Sequence, residues 1–224
     1  MGEVIGSLLP LALGVAISPV PIIAVILMLF APRAGGTGLG FMLGWVVGIV
    51  VAVVVFLLVA GATDIGDSDE PSTLASWIKL LLGLLFLLLA VGQWRKRPHD
   101  GVEPELPGWM TSIDKVTPGK AAGLGFLLSA VNPKNLAMAI AAGVTIADGA
   151  LSGGGQTVAV IVFTVIAAST VAVPVIAYAV AADRMRGPLD ELKSWLEANN
   201  ATVMSVLLVV LGVVILGKGL GALL

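Results

Sequence analysis

The chain has 224 residues, of which 58% are hydrophobic and 12% charged; its net charge is −2 and its mean hydropathy +1.07. Soluble domains are about half apolar and a quarter charged, so this composition excludes a soluble globule and points to an integral membrane protein. The small negative charge implies no nucleic-acid surface, and the absence of cysteine excludes disulfides, thiol relays and thiolate metal sites.

Six apolar segments are long enough to cross a bilayer, which takes roughly 20 residues. They lie at about 5–31, 37–61, 74–94, 121–146, 155–181 and 201–222. The first is too long and wrongly flanked for a cleaved signal peptide. Pro32-Arg33-Ala34-Gly35-Gly36 separates the first two segments, and Asp64 to Pro71 the second and third. The longest polar stretch runs from Arg95 to Lys120, and a glycine-rich turn occupies Ala147 to Gly154. Asp183 to Asn200 is a polar connection in which leucine and tryptophan recur at helical spacing, as in a short helix lying on a membrane surface. The expected fold is all-α and polytopic.

Charge is distributed unevenly between the loops. Arg33, then Arg95, Lys96, Arg97, Lys115 and Lys120, then Arg184, Arg186 and Lys193 fall on one side. Glu3, Asp64, Asp67, Asp69, Glu70 and Asp148 fall on the other. The basic loops are expected in the cytoplasm and both termini outside. The chain divides into a first three-helix unit (1–94), a cytoplasmic linker (95–120) and a second three-helix unit (121–224). Three crossings per unit force the second to be inverted relative to the first. Gly14-Val15-Ala16-Ile17-Ser18 before the first proline cluster echoes Gly125-Phe126-Leu127-Leu128-Ser129 before the second.

Two of the segments are broken at corresponding places. Ser18-Pro19-Val20-Pro21 interrupts the first and Asn132-Pro133-Lys134-Asn135 the fourth. Proline removes a backbone donor and disturbs the turn before it. In hydrocarbon, the freed groups must find a partner or line a cavity. Paired broken helices in two halves are the mark of a transporter with its site near the bilayer midplane. Lys134 is the one ionisable residue well inside a segment, where charge is costly and rarely faces lipid. It can neutralise a carboxylate or phosphate, or exchange a proton; the plainer alternative is a side chain that snorkels to an interface. Asn132 and Asn135 offer amide groups to a ligand or to their own broken backbone. Ser18, Pro19, Pro21 and Pro133 are candidate substrate-lining positions beside a simple-kink alternative.

Thr164, Ser169 and Thr170 make the fifth segment the most polar after the fourth, and can line a pathway or return their hydroxyls to their own helix. Gly36, Gly40, Gly44 and Gly48 recur every fourth residue and form a smooth ridge for close helix packing. That ridge suits an internal neighbour or a homodimer. No carboxylate lies within a segment, no cluster has metal-ligand spacing and no nucleophile–base pair is visible. Neither an enzyme, a metal nor a cofactor is expected.

Ser18-Pro19-Val20-Pro21 through Arg33, with Gly36 to Gly48, resembles the opening of LysE-type exporters, and Asn132-Pro133-Lys134 resembles their fourth-helix signature. The stretch Trp109-Met110, Ile113-Asp114-Lys115 and Ala130 to Leu136 is similar to the GAP or Sap family, named for addressing glycolipids and sulfolipids to the actinobacterial envelope. This resemblance implies a six-helix bacterial inner-membrane protein that moves glycolipids or related amphiphiles outward. Ser18-Pro19-Val20-Pro21 departs from the Pro-Gly-Pro form of the amino-acid exporters. The leading expectation is export or flipping of a lipid-like, anionic amphiphile by alternating access. The alternatives are an exporter of amino acids or small metabolites, and a non-transporting scaffold of an envelope-lipid synthesis or export machine.

Overall fold

The computed structural model of the chain describes residues 1–62, 73–95, 97, 113 and 115–221. Asp64 to Glu70, Lys96, His99, Trp109, Met110 and Asp114 lie outside the described residues. Within them there is no strand and there are seven helices: α1 (Gly2–Ala16), α2 (Pro19–Phe30), α3 (Ala34–Ala62), α4 (Thr73–Arg95), α5 (Pro118–Ala130), α6 (Pro133–Ala147) and α7 (Gly153–Gly221).

The first and fourth apolar segments each resolve into two helices. Helices end at the residue before a proline, because the ring clashes with the preceding backbone in the helical conformation. The same proline is welcome in the first turn of a new helix, where its missing N–H would have no partner anyway. Pro19 opens α2 and Pro133 opens α6 for this reason. Pro21 also falls within the first turn of α2. The axes bend by 53° between α1 and α2 and by 62° between α5 and α6. Aligned on these prolines, Ser18 corresponds to Asn132. The glycine-to-serine echo seen in the sequence matches Ser18 with Ser129, three residues out of register with the breaks.

The fifth and sixth segments are not separated by a loop. The polar connection between them is helical throughout, and α7 is interrupted at Ala181, whose φ of −146° and ψ of 56° are not helical. Leu189 and Leu196, two turns apart, are buried, while Lys193 bridges Asp190 at 3.4 Å and Glu197 at 3.8 Å on the wetter side. Trp195 is exposed. Among the described residues, α3 and α7 are long and apolar enough to cross a membrane, and each bent pair passes the same test as a unit. That makes two candidate spans, or four with the bent pairs counted. The exposed face of α3, Leu39, Leu43, Val47, Val51 and Val55 at every fourth residue, is apolar and suits hydrocarbon.

Close packing without β-carbons joins the helices. Along α3, Gly36 and Gly40 lie on Pro118, Gly44 on the Ala122 backbone, and Gly48 on Phe126 and Ser129; Gly125 of α5 returns the contact on Phe41 and Trp45. Farther on, Gly143 of α6 lies on Phe56 and Leu57. The bent pair α5–α6 therefore runs parallel to α3 over its length. α1 runs parallel to the first part of α7, with Met1 near Gly155 and Ala16 near Thr170. α4 runs antiparallel to the last part of α7: Gly219 meets Leu80, Gly83 meets Leu216, Gly212 meets Leu87, and Ser205 Oγ donates to Ala90 O at 3.0 Å. Gly38 near Val175 and the Phe30–Tyr178 ring pair place the end of α2, the start of α3 and the residues before Ala181 together. Arg33, Lys120 and the stretch from Arg184 to Lys193 consequently share one end of the bundle, here called the basic end. Met1, the Asp148 turn and Gly153 share the other.

Candidate functional site

The carbonyls of the last turn of α1 lose their usual partners at the first break. In an unbroken helix, Gly14, Val15, Ala16 and Ile17 would accept from the N–H groups of residues 18, 19, 20 and 21. Residues 19 and 21 are prolines and have none to give. The Ser18 N–H turns back to Ala16 O at 2.8 Å across an inverse γ-turn at Ile17, whose φ is −80° and ψ 69°.

Side chains supply what the backbone lost. Ser18 Oγ donates to Val15 O at 2.7 Å, and Thr170 Oγ1 donates to Ala16 O at 2.6 Å. Lys134 Nζ donates to Gly14 O at 2.7 Å, to Ile17 O at 3.3 Å and to Ser18 Oγ at 2.6 Å. All four carbonyls are thereby satisfied. The three acceptors around Nζ match the three donors of an ammonium group. A cation there also meets the negative end of the α1 dipole. Lys134 is 6% exposed and Ser18 4%, so this contact is shut off from solvent.

The second break is repaired locally. Asn132 caps α6 by accepting from the Lys134 N–H at 3.0 Å. Leu128, which stands to Pro133 as Gly14 stands to Pro19, has its carbonyl met by Asn135 Nδ2 at 2.9 Å. Neighbouring residues thus mend the two breaks, Lys134 that of α1 and Asn135 that of α5. The Asn135 Oδ1 is buried and without a hydrogen-bond partner.

The structure brings Ser18, Lys134 and Thr170 together at the first break, with Asn132 and Asn135 alongside at the second. Pro19, Pro21 and Pro133 act by what they lack. Ser169 is next to Thr170 in sequence but returns its hydroxyl to Ile166 O at 2.7 Å. Thr164 is in a different place, in a groove between α3 and α7. Sequence reasoning missed the main-chain carbonyls of Gly14 and Ile17, the partners of Lys134. The signal was present for Ile17, since Pro21 marks the carbonyl four residues before it as one in need of a donor. Removing the Thr170 hydroxyl should cost about 1 kcal/mol, the net worth of one hydrogen bond. Chemical denaturation of Thr170→Val in detergent checks this, with Thr170→Ser expected to keep most of the stability.

Gly14 and Ile17 have a second role. With Pro10 and Leu13 they form one wall of a groove of about 460 Å³, whose other wall is the last part of α7. Trp195, Asn199 and Thr202 stand at its basic end, and Val206, Val210 and Leu211 continue it toward the middle of the bundle. Leu13, Ile17, Trp195, Val206 and Val210 are all exposed, so the groove opens on the flank of the bundle. Its size is within the range of pockets that take a small ligand.

No curated protein and no solved structure matches this chain. The family described as "Sap, sulfolipid-1-addressing protein" matches residues 8–221, nearly the whole length, and the chain belongs to that family.

Proposed function

We propose that this protein carries an anionic, lipid-like amphiphile outward across the cytoplasmic membrane of a bacterium, as a six-span carrier of two inverted three-helix repeats. The observation that carries this reading is the apolar groove along α1 and α7, open on the flank and walled by the two residues whose carbonyls hold Lys134. A lipid can slide its chain into such a groove from the bilayer while its headgroup moves to the break. The family's name, addressing a sulfolipid, agrees with an anionic lipid cargo.

The repeat reading is supported by the packing. The first bent pair runs parallel to the first part of α7, as the second bent pair runs parallel to α3. α4 and the last part of α7 pair with each other. Exchanging the halves reproduces this pattern, and on this reading an in-plane pseudo-two-fold axis would pass near the two breaks. Six crossings follow if α4 spans and α7 crosses once on each side of Ala181. The basic end then faces the cytoplasm, and both termini face outward.

In the described conformation every donor of Lys134 is engaged. An anionic headgroup that takes the ammonium must displace Gly14 O, Ile17 O and Ser18 Oγ. Cargo binding and release of α1 from α6 are therefore one event, which is how a ligand shifts a two-state carrier: it binds one state better than the other. Rocking of one repeat against the other would complete transport.

The test is transbilayer movement of headgroup-labelled phosphatidylglycerol in proteoliposomes, measured beside efflux of small amino acids. Wild type should move the lipid and leave amino-acid efflux at background. Val206→Trp, which fills the groove without touching the break, should slow lipid movement about tenfold, equivalent to about 1.4 kcal/mol on the barrier. Amino-acid efflux that depends on Lys134 would replace this reading with the small-metabolite exporter. Absence of either flux, with cellular function lost on replacing the 95–120 linker, would replace it with the scaffold.

A further inference from the structure

A second groove, of about 430 Å³, lies between α3 and the first part of α7. Val50, Val54 and Leu57 form one wall, and Val160, Ile161 and Val165 much of the other. Gly153, Gln156 and Thr157 stand at its mouth, at the end of the bundle opposite the basic end. Thr164 stands at its inner end, about 16 Å from Gly153 at 1.5 Å per helical residue. That depth is near the middle of a hydrocarbon layer about 30 Å thick.

Thr164 is 8% exposed, and its hydroxyl has no hydrogen-bond partner. This is unusual, because a threonine in a helix can donate to the carbonyl a turn before it. Thr145 and Thr157 do so, to Ala141 O and Gly153 O, and Ser129 and Ser169 do the equivalent. A buried hydroxyl left without a partner costs free energy that a bound polar group can recover. Outward from Thr164 on the same groove, the next hydrogen-bonding side chains are Thr157 and Gln156, about two turns on. The groove is therefore apolar along its length, with polar groups at mid-depth and at the mouth.

Resting on the transport reading above, we propose that this α3–α7 seam is the outward half of the route, where a lipid headgroup hydrogen-bonds to Thr164 after leaving the break and then passes Thr157 and Gln156 to the outer surface. The first groove has Trp195, Asn199 and Thr202 toward the basic end and the seam has its mouth at the opposite end, so on this reading the two serve opposite sides of the membrane. The lipid chain stays on the bilayer side of the seam, beside exposed Ile161 and Val165. The cargo class this favours is an amphiphile whose headgroup has hydrogen-bonding oxygens small enough to pass between Val54 and Val160.

Photolabelling tests it. The full chain is reconstituted with phosphatidylglycerol carrying a diazirine on the headgroup glycerol, irradiated, and digested, and the labelled peptides are mapped. Free lipid keeps its headgroup at the interface, so label at mid-depth reports protein-bound headgroup. Label is expected on residues 50–57 and 160–165 as well as around Gly14 and Lys134. Thr164→Val should lower the seam label about fivefold, the worth of one hydrogen bond, and Thr164→Ser should restore it while both variants keep the label at the break. Label at the break but not in the seam overturns the route and leaves the transport site standing. Seam label indifferent to the Thr164 hydroxyl also overturns it. Label at neither place overturns the route and the transport site together.

Discussion

Lys134→Ala is expected to destabilise the fold and to abolish lipid movement together. The substitution leaves Gly14 O and Ile17 O as buried acceptors with no donor, at about 1–3 kcal/mol each. It also removes a desolvated cation, which offsets part of that cost. A net loss of about 2 kcal/mol is expected on this balance. Lys134→Met separates the causes, since methionine fills similar space but donates nothing. Equal losses in Lys134→Ala and Lys134→Met, measured by denaturation in detergent, would assign the effect to the hydrogen bonds. Full stability in Lys134→Met would assign it to packing and remove the reason for treating α1 and a cargo anion as competitors. Lipid movement in proteoliposomes should fall at least about tenfold in both variants, including at temperatures where both remain folded.

The second large effect is expected at Gly44. A β-carbon there would overlap the backbone carbonyl of Ala122, and a backbone cannot rotate away as a side chain can. Gly44→Ala must push α5 off α3, with the neighbouring contacts of Gly40 and Gly48 opening alongside. Overpacking of this kind costs about 1–3 kcal/mol, and occasionally more. Gly44 should lie at the upper end, because the whole ridge is a single seam. Gly35→Ala is the control, since a β-carbon at Gly35 meets nothing within 4 Å. Thermal unfolding followed by tryptophan fluorescence tests the pair, helped by Trp45, which is buried against this seam and stacked on Phe41 at 6.3 Å. A Gly44→Ala melting temperature equal to that of Gly35→Ala would show that α3 and α5 are not held in this contact.

The ridge also shows how a pattern and its partner are separate pieces of information. Glycines at every fourth residue say that something approaches one face of α3. They do not say whether that neighbour is another copy of the chain or another helix of the same one. The described neighbour is α5, which contributes Gly125 to the same seam. The three hydroxyls of the fifth segment make the same point. Thr164, Ser169 and Thr170 lie within two turns, and each has a different fate: a groove, its own helix and the α1 carbonyl. Helical geometry gives their azimuths, but not what stands at each azimuth.

What the sequence determined by itself is local and follows from covalent chemistry. Apolar stretches of about twenty residues call for helices, because a helix satisfies its backbone groups within the segment. Pro19 and Pro133 mark the breaks because proline lacks the donor and excludes the preceding residue from the helix. Ser18 and Asn132 before them are cap residues by type. The spacing of leucine and tryptophan in the polar join between the fifth and sixth segments marked a short helix; that this helix runs on without a loop into the sixth segment is a feature of the structure, where buried Leu189 and Leu196 and the pairs around Lys193 hold it. What only the tertiary structure decided is which distant group answers each unmet one. Lys134 reaches Gly14 and Ile17 across more than a hundred residues of chain, and Asn135, its neighbour, turns instead to Leu128. Proline chemistry acts within four residues and so can be read along the chain. The choice of donor depends on how helices far apart in sequence come to lie side by side, and that is settled by packing.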